Sequence, residues 1–143
     1  MKLSKNFYLY EFEKSQIADR NGINNYAPGN VIKNLIVLCE RVLQPLRNEL
    51  MKPITINSGY RSIEVNRKLG SNDNSQHVKG EAADIEVAGI NNYDLFHYIR
   101  GSGFIYDQLI LEFHKANHPN SGWVHVSRVK DIEKNREMSF NLP

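Results

Sequence analysis

Cysteine is almost missing from this chain: Cys39 stands alone among 143 residues. Intrachain disulfides and multi-cysteine zinc sites are thereby excluded, and any bound metal must be held by imidazole and carboxylate. Long apolar runs are missing too. No window approaches the roughly 18 apolar residues of a membrane-crossing helix, so no membrane partner is expected. Charge of one sign does not accumulate either, since 18 Lys plus Arg face 16 Asp plus Glu for a net of +2. That balance falls far short of the basic excess by which charge alone signals nucleic-acid binding, and nucleic acid is not an expected partner. Gly and Pro, 9 and 5 in number, are scattered rather than gathered into a linker, and no repeat or low-complexity tract appears.

What remains, 41% hydrophobic and 24% charged residues, is the make-up of one ordinary globular domain. A single domain over residues 1–143 is expected, with its core at about 3–128 and a charged tail at about 130–143 that shows no sign of a catalytic role. Chains of this size bury roughly two thirds of their unfolded surface, enough for a core without disulfide staples.

Ser4 to Arg20 reads as a short, irregular helical opening, followed by a turn-rich stretch to Asn30. From Val31 to Leu50, Ile32, Leu35, Ile36, Cys39, Val42, Leu43, Leu46 and Leu50 recur at helical spacing, which makes one buried stripe. Pro45 has no N–H for the carbonyl of Arg41, so a kink is expected there. Pro53 to Asn57 is a short β-branched strand, and Ser62 is placed to cap a helix running to about Leu69. Ala82 to Val87 alternates, with Ala83, Ile85 and Val87 on one face and Asp84 and Glu86 on the other. Asn92 to Arg100 is an amphipathic helix with Leu95, Phe96 and Ile99 inward. Asp107 to Phe113 and Gly122 to Arg128 read as paired strands joined by a polar loop, His114 to Ser121. The fold class is α+β, a small antiparallel sheet packed against helices.

Chemistry concentrates in two segments, Ser75-Gln76-His77-Val78-Lys79-Gly80-Glu81-Ala82-Ala83-Asp84 and Gly122-Trp123-Val124-His125-Val126-Ser127. Two His and one carboxylate form a zinc-type donor set, because a catalytic zinc takes three protein ligands and leaves a position open. Gly80 permits a sharp turn after His77, small Ala82 and Ala83 let the strand pass close by, and Asp84 returns to face His77. Val124 and Val126 point to the core, so Trp123, His125 and Ser127 share the opposite face. A carboxylate such as Asp84 is disfavoured in mid-strand unless it is paired or metal-bound. For His125 a hydrogen-bonded core histidine is the ordinary competing explanation.

The pattern S-x-H-x-x-G-x-A-x-D followed by W-x-H-x-S, preceded by the turn Ser58-Gly59-Tyr60-Arg61-Ser62 and by Asn66, resembles the D-Ala-D-Ala carboxypeptidase family of zinc peptidases. That family includes phage L-Ala-D-Glu endopeptidase lysins, and the hedgehog signalling domain shares its fold. The likeness is to the small single-domain type and spans residues 3 to about 128, including Leu3-Ser4-Lys5-Asn6-Phe7 and the helix end Val42-Leu43-Gln44-Pro45-Leu46-Arg47. The resemblance implies that His77, Asp84 and His125 bind Zn2+.

Such a peptidase needs a base to take a proton from the attacking water and pass it to the leaving amine. Several family members carry a Glu three residues before the last zinc-binding His, but Gly122 stands there in this chain. Glu112, on the strand paired with that of His125, is the residue chosen instead. A structural Glu112 is the competing reading, and His114 or His118 in the adjoining loop the further candidates. Arg61 follows a strand and a Gly turn that can hold its guanidinium over a cleft, to meet a substrate carboxylate or an oxyanion; an ion pair that merely holds the turn is the alternative. Ser75 and Ser127 are expected to orient the ligands from behind, and Tyr60 and Trp123 to line the cleft, although core packing is the ordinary role of such a Trp. Glu81 and Glu86 read as exposed charges.

The expectation is therefore a monomeric zinc carboxypeptidase or endopeptidase, a peptidoglycan hydrolase cutting stem peptides or cross-links. Glu11, Glu13 and Lys14 interrupt the region where a secretory leader would need an apolar stretch. Cytoplasmic synthesis is expected, with action on the wall after release, as by a phage endolysin or a virion-associated lysin. A non-catalytic zinc-stabilised module that binds wall or protein, and a phage virion component, are the competing classes.

Overall fold

The computed structural model describes residues 1–143. The chain opens with a hairpin, β1 (Lys2–Ser4) and β2 (Phe7–Tyr8), where an irregular helix was expected. Leu3 and Phe7 are buried on its inner side, and its turn is tied down because Gln44 Oε1 accepts from both Ser4 Oγ and Asn6 N at 2.8 Å. Two short helices follow, α1 (Leu9–Glu13) and α2 (Gln16–Asn21); Ser15 caps the second by accepting from Ala18 N.

The expected long helix is a rod in three parts: α3 (Gly29–Leu38), a π-helical segment at Cys39–Leu43, and α4 (Gln44–Leu50). The kink expected at Pro45 is resolved by this segment, in which Gln44 N–H bonds to the Cys39 carbonyl five residues back. The extra residue in the turn places Pro45 in the first turn of α4, where a missing N–H costs nothing. Val31, Leu35, Leu38, Cys39, Val42, Leu43 and Leu46 are buried along the rod. Each such side chain contributes roughly 1.5–3 kcal/mol through its removal from water. Burial also pushes the Cys39 thiol far up, as do Glu11 and Glu40 to a lesser degree, so it is an inert core group.

The rod covers one face of a five-stranded sheet of order β3-β4-β6-β5-β7. Its strands are β3 (Ile54–Ser58), β4 (Ala82–Val87), β5 (Gln108–Glu112), β6 (Trp123–Ser127) and β7 (Met138–Leu142). All pairings are antiparallel except β5 with β7. β7 lies in the stretch expected to be a tail: residues 130–143 instead form a 3-10 turn at Ile132–Lys134 and an edge strand. On the crossing between β4 and β5, α7 (Asn92–Gly101) buries Leu95, Phe96 and Ile99 as its pattern requires.

Between β3 and β4 lie α5 (Ile63–Lys68), capped by Ser62 accepting from Val65 N, and the four-residue α6 (Gln76–Lys79). His77 therefore lies within a helix. Gly80 ends α6 at φ +73°, and a Cβ there would sit 2.6 Å from Val31 Cγ1 and 2.8 Å from the Val31 carbonyl oxygen. Only glycine lets this turn lie directly on α3 and send the chain back along β4.

Candidate metal centre

Strand alternation divides the sheet into two faces. Ala83, Ile85, Val87, Leu109, Leu111, Val124 and Val126 belong to the core cluster, so Asp84, Glu86, Ile110, Glu112, Trp123, His125 and Ser127 lie on the other face. Asp84 is directly opposite His125, and His125 directly opposite Ile110. α6 then lays His77 over this row. One nitrogen of each His and one Asp84 oxygen lie within 4.8 Å of one another, and all three residues are buried.

Hydrogen bonds decide which atoms meet. His77 Nδ1 is 2.7 Å from the Gly59 carbonyl oxygen, which can only accept, so Nδ1 carries the proton and Nε2 turns its lone pair to Asp84 Oδ1 at 3.3 Å. His125 Nε2 faces Gln76 Oε1 at 3.5 Å, which leaves Nδ1 toward the same Oδ1 at 3.0 Å. Three lone pairs thus converge in a space that a cation would have to fill. Burial acts to raise the Asp84 carboxyl, but the neighbouring His77, and after it His125, prevail and hold it well below the usual carboxylate range. Two imidazoles and one ionised carboxylate, with the rest of the space open, fit a zinc-type ion.

Arg61 holds the far side of Asp84. Its Nη2 donates to Asp84 Oδ2 at 3.4 Å, its Nε to Ser58 Oγ at 3.0 Å and its Nη1 to Asn66 Oδ1 at 3.4 Å. Burial lowers its pKa somewhat, against the charges of Asp84 and Glu112. The guanidinium therefore pairs with a carboxylate and also faces open space: it lines a cavity of about 650 Å3 between α2, β3 and Trp123, and a second of about 520 Å3 over β5. Asp84 lines both as well, while His77, His125 and Glu112 open onto the second.

Glu112 is one site-face step along β5 from the partner of His125. Burial, then the charge of Asp84, raises its carboxyl, against the pull of His125. Its strand partner Trp123 has a buried indole N–H without a hydrogen-bond acceptor in good geometry, close enough to Glu112 to favour the charged carboxylate. Gly122 explains why no acid stands three residues before His125. It sits at φ +71°, and a Cβ there would overlap the Glu112 carbonyl oxygen and approach His114 N at 2.8 Å. A side chain at that position is excluded in this backbone, whereas Glu112, on the neighbouring strand, lines the second cavity.

The remaining expected residues divide. Tyr60 and Trp123 line the larger cavity, and the Trp123 ring packs on Phe113 at 5.2 Å. Ser75 lines the second cavity but spends its hydroxyl capping α6, accepting from His77 N at 3.3 Å. Ser127 is fully buried and ties β6 to β5 by accepting from Gln108 N at 2.9 Å, away from the ligand atoms. His114 turns to the Ser121 carbonyl at 3.1 Å, His118 is exposed, and neither lines either of these two cavities. Glu81 and Glu86 are half-buried rather than exposed, and Glu86 accepts from Asn57 and Asn92. Gln76, Asp107 and Arg136 escaped the sequence reading, because nothing local marks them.

This arrangement sits inside a matched region. A family described as Peptidase M15 matches residues 5–127. The chain belongs to that peptidase family. A zinc D-Ala-D-Ala carboxypeptidase of Streptomyces albus G is 38% identical over 63 residues, 43% of this chain and 25% of that protein. The aligned segment thus spans about a quarter of that relative. The M15 match ends at Ser127 and leaves the 3-10 turn and β7 outside it.

Proposed function

We propose that the protein is a zinc peptidase that hydrolyses a peptide bond inside bacterial peptidoglycan stem peptides or cross-links. The observation that carries this reading is the convergence of His77 Nε2, His125 Nδ1 and Asp84 Oδ1 beside an acid of raised pKa and a guanidinium, in a cleft open on both sides. Zinc held by His77, Asp84 and His125 would supply the Lewis acidity that polarises a scissile carbonyl and acidifies water. Glu112, half-buried on the wall of the second cavity, takes a proton from the attacking water and returns it to the leaving amine. Arg61 meets the oxyanion or a substrate carboxylate with the N–H groups that face the cavities.

An exopeptidase closes its site a residue or two beyond the scissile bond. Here one cavity lies over β3 and the other over β5, with Asp84 and Arg61 between them. A peptide can extend both ways, which favours endopeptidase cleavage over removal of a terminal residue. Small single-domain lysins, which the sequence motif resembles, set the context we assign: wall degradation by a phage-type enzyme.

The test is mass spectrometry of muropeptides after incubation of peptidoglycan with zinc-loaded protein. Internal stem or cross-link cleavage with new amino groups is expected. Release of terminal D-Ala alone would refute the endopeptidase reading. No new amino groups at full zinc occupancy would refute the peptidase reading and leave a wall-binding module.

A further inference from the structure

Beside His125, along the wall of the second cavity, runs a chain of polar groups that starts outside the region matched by the family. Asp107 is 2% exposed, and its carboxylate can only accept hydrogen bonds. Oδ1 accepts from the backbone N and the Nε of Arg136, both at 2.9 Å, and Oδ2 from Arg136 Nη2 at 2.7 Å. The fourth donor is Gln76 Nε2, at 2.7 Å from Oδ2. This last contact fixes the amide: its NH2 end must face the carboxylate, so its carbonyl oxygen faces the other way, toward His125 Nε2 at 3.5 Å.

We infer that Arg136, Asp107 and Gln76 form a positioning relay that holds the His125 ring with Nε2 as donor and Nδ1 turned to the metal. The inference rests on His125 being a ligand, as proposed above, and extends the site to Gln76 and Arg136, which line the second cavity, and to the buried Asp107 between them. Metal-bound imidazoles are commonly held in this way by an acceptor on the other ring nitrogen, and loss of that acceptor typically costs about 10–100-fold in metal affinity. The gap from Gln76 to His125 is long for a hydrogen bond, so the relay acts by orienting a dipole rather than by a short, strong contact.

The segment that brings Arg136 to Asp107 is built for placement. Asn135 closes the 3-10 turn by accepting from Val129 N at 2.8 Å and donating to the Val129 carbonyl at 3.0 Å. Glu137 N and Met138 N then bond to the carbonyls of Tyr106 and Asp107, each at 3.0 Å, before β7 runs along β5. The stretch expected to be a tail therefore delivers one cation to the wall of the cavity onto which the metal centre opens.

Zinc affinity tests the relay without any substrate, by competition with a chromophoric chelator, together with the visible spectrum of the Co2+-loaded protein and the melting temperature of the metal-free form. Wild type should take up one zinc. Gln76→Met, which keeps length and volume, should weaken zinc by about 10–100-fold and alter the Co2+ spectrum while the metal-free melting temperature stays within a few degrees. Arg136→Ala should weaken zinc several-fold, Arg136→Lys about as much because an ammonium cannot make the paired contact, and the double variant should lose less than the product of the two. Unchanged zinc affinity and Co2+ spectrum in both folded single variants would overturn the relay. A raised KM for wall peptides in Arg136→Ala at unchanged zinc affinity would overturn it too, by making Arg136 a substrate anchor. Zinc affinities that shift as stated in a protein that cleaves no peptidoglycan would keep the relay and refute the peptidase reading alone. Failure of wild type to bind zinc would overturn both.

Discussion

The two faces of the sheet are made by the same strands and obey opposite rules. On the core face of β4, β5 and β6, Ile85, Leu109 and Val124 are wholly buried and interchangeable in chemical type, since all they supply is volume. On the other face Asp84 and His125 are nearly as buried, at 4% and 7% exposure, yet each polar atom has an assigned neighbour. Burial without partners would be costly there, and the cost is met by neighbours that also fix orientation. One face stores stability, the other stores geometry, and a substitution should reveal which of the two it touches.

The largest separation is expected at Glu112. Glu112→Gln keeps shape and removes the base, so turnover should fall by about a hundredfold to ten-thousandfold with zinc and melting temperature kept. In the metal-free protein burial, then the charge of Asp84, raises the Glu112 carboxyl, and a cation bound by His77, Asp84 and His125 would oppose that shift. The acid limb of kcat against pH should belong to Glu112 and vanish in the variant. Normal turnover per bound zinc would remove Glu112 from the mechanism.

Arg61→Ala should retain zinc and lose about 10²–10³-fold in kcat if its main partner is the oxyanion, and Arg61→Lys should rescue little. A change confined to KM would assign it to ground-state binding of a substrate carboxylate.

Leu109→Ala breaks the comparison from the other side. It should cost about 2–5 kcal/mol of stability, read as a lower denaturation midpoint, while turnover per folded molecule stays near wild type. A proportionate loss of turnover at full folding would mean that the faces are not separable.

The smallest expected effect is on acid stability. The hydrogen bond from Arg136 holds the Asp107 carboxyl below its ordinary value, against burial, with Gln76 adding to the same direction. A carboxyl depressed in the folded state contributes stability that is fully present above its unfolded pKa and is lost as pH falls through the folded pKa. Asp107→Asn should therefore flatten the loss of stability below the ordinary carboxylate range. An unchanged acid profile would remove the Arg136 pair from the stability account.

The same division explains what could be read from the sequence. The common face of Asp84 and His125 was legible because strand alternation is a local rule, their assignment with His77 as ligands came with the family resemblance, and Ser62 and Gly80 bound their helices as local rules require. The short β1 and β2 were not, since three- and two-residue strands carry no periodicity. β7 was missed because Met138, Phe140 and Leu142 alternate on an edge strand whose side chains stay largely exposed, so the segment read as a charged tail. Gln76, Asp107 and Arg136 meet across separations of 31 and 29 residues, and only tertiary structure brings them together. The π-helical segment came from one missing N–H at Pro45, whose site was foreseeable and whose resolution was not.

His77 from α6 and Asp84 and His125 from the polar face of the sheet are expected to build one metal centre. Zinc content per folded chain, measured on wild type and on His125→Ala from the same purification, tests it most directly. The account predicts one zinc in wild type and loss of stoichiometric zinc in the variant with the fold kept; full zinc occupancy in folded His125→Ala would contradict it.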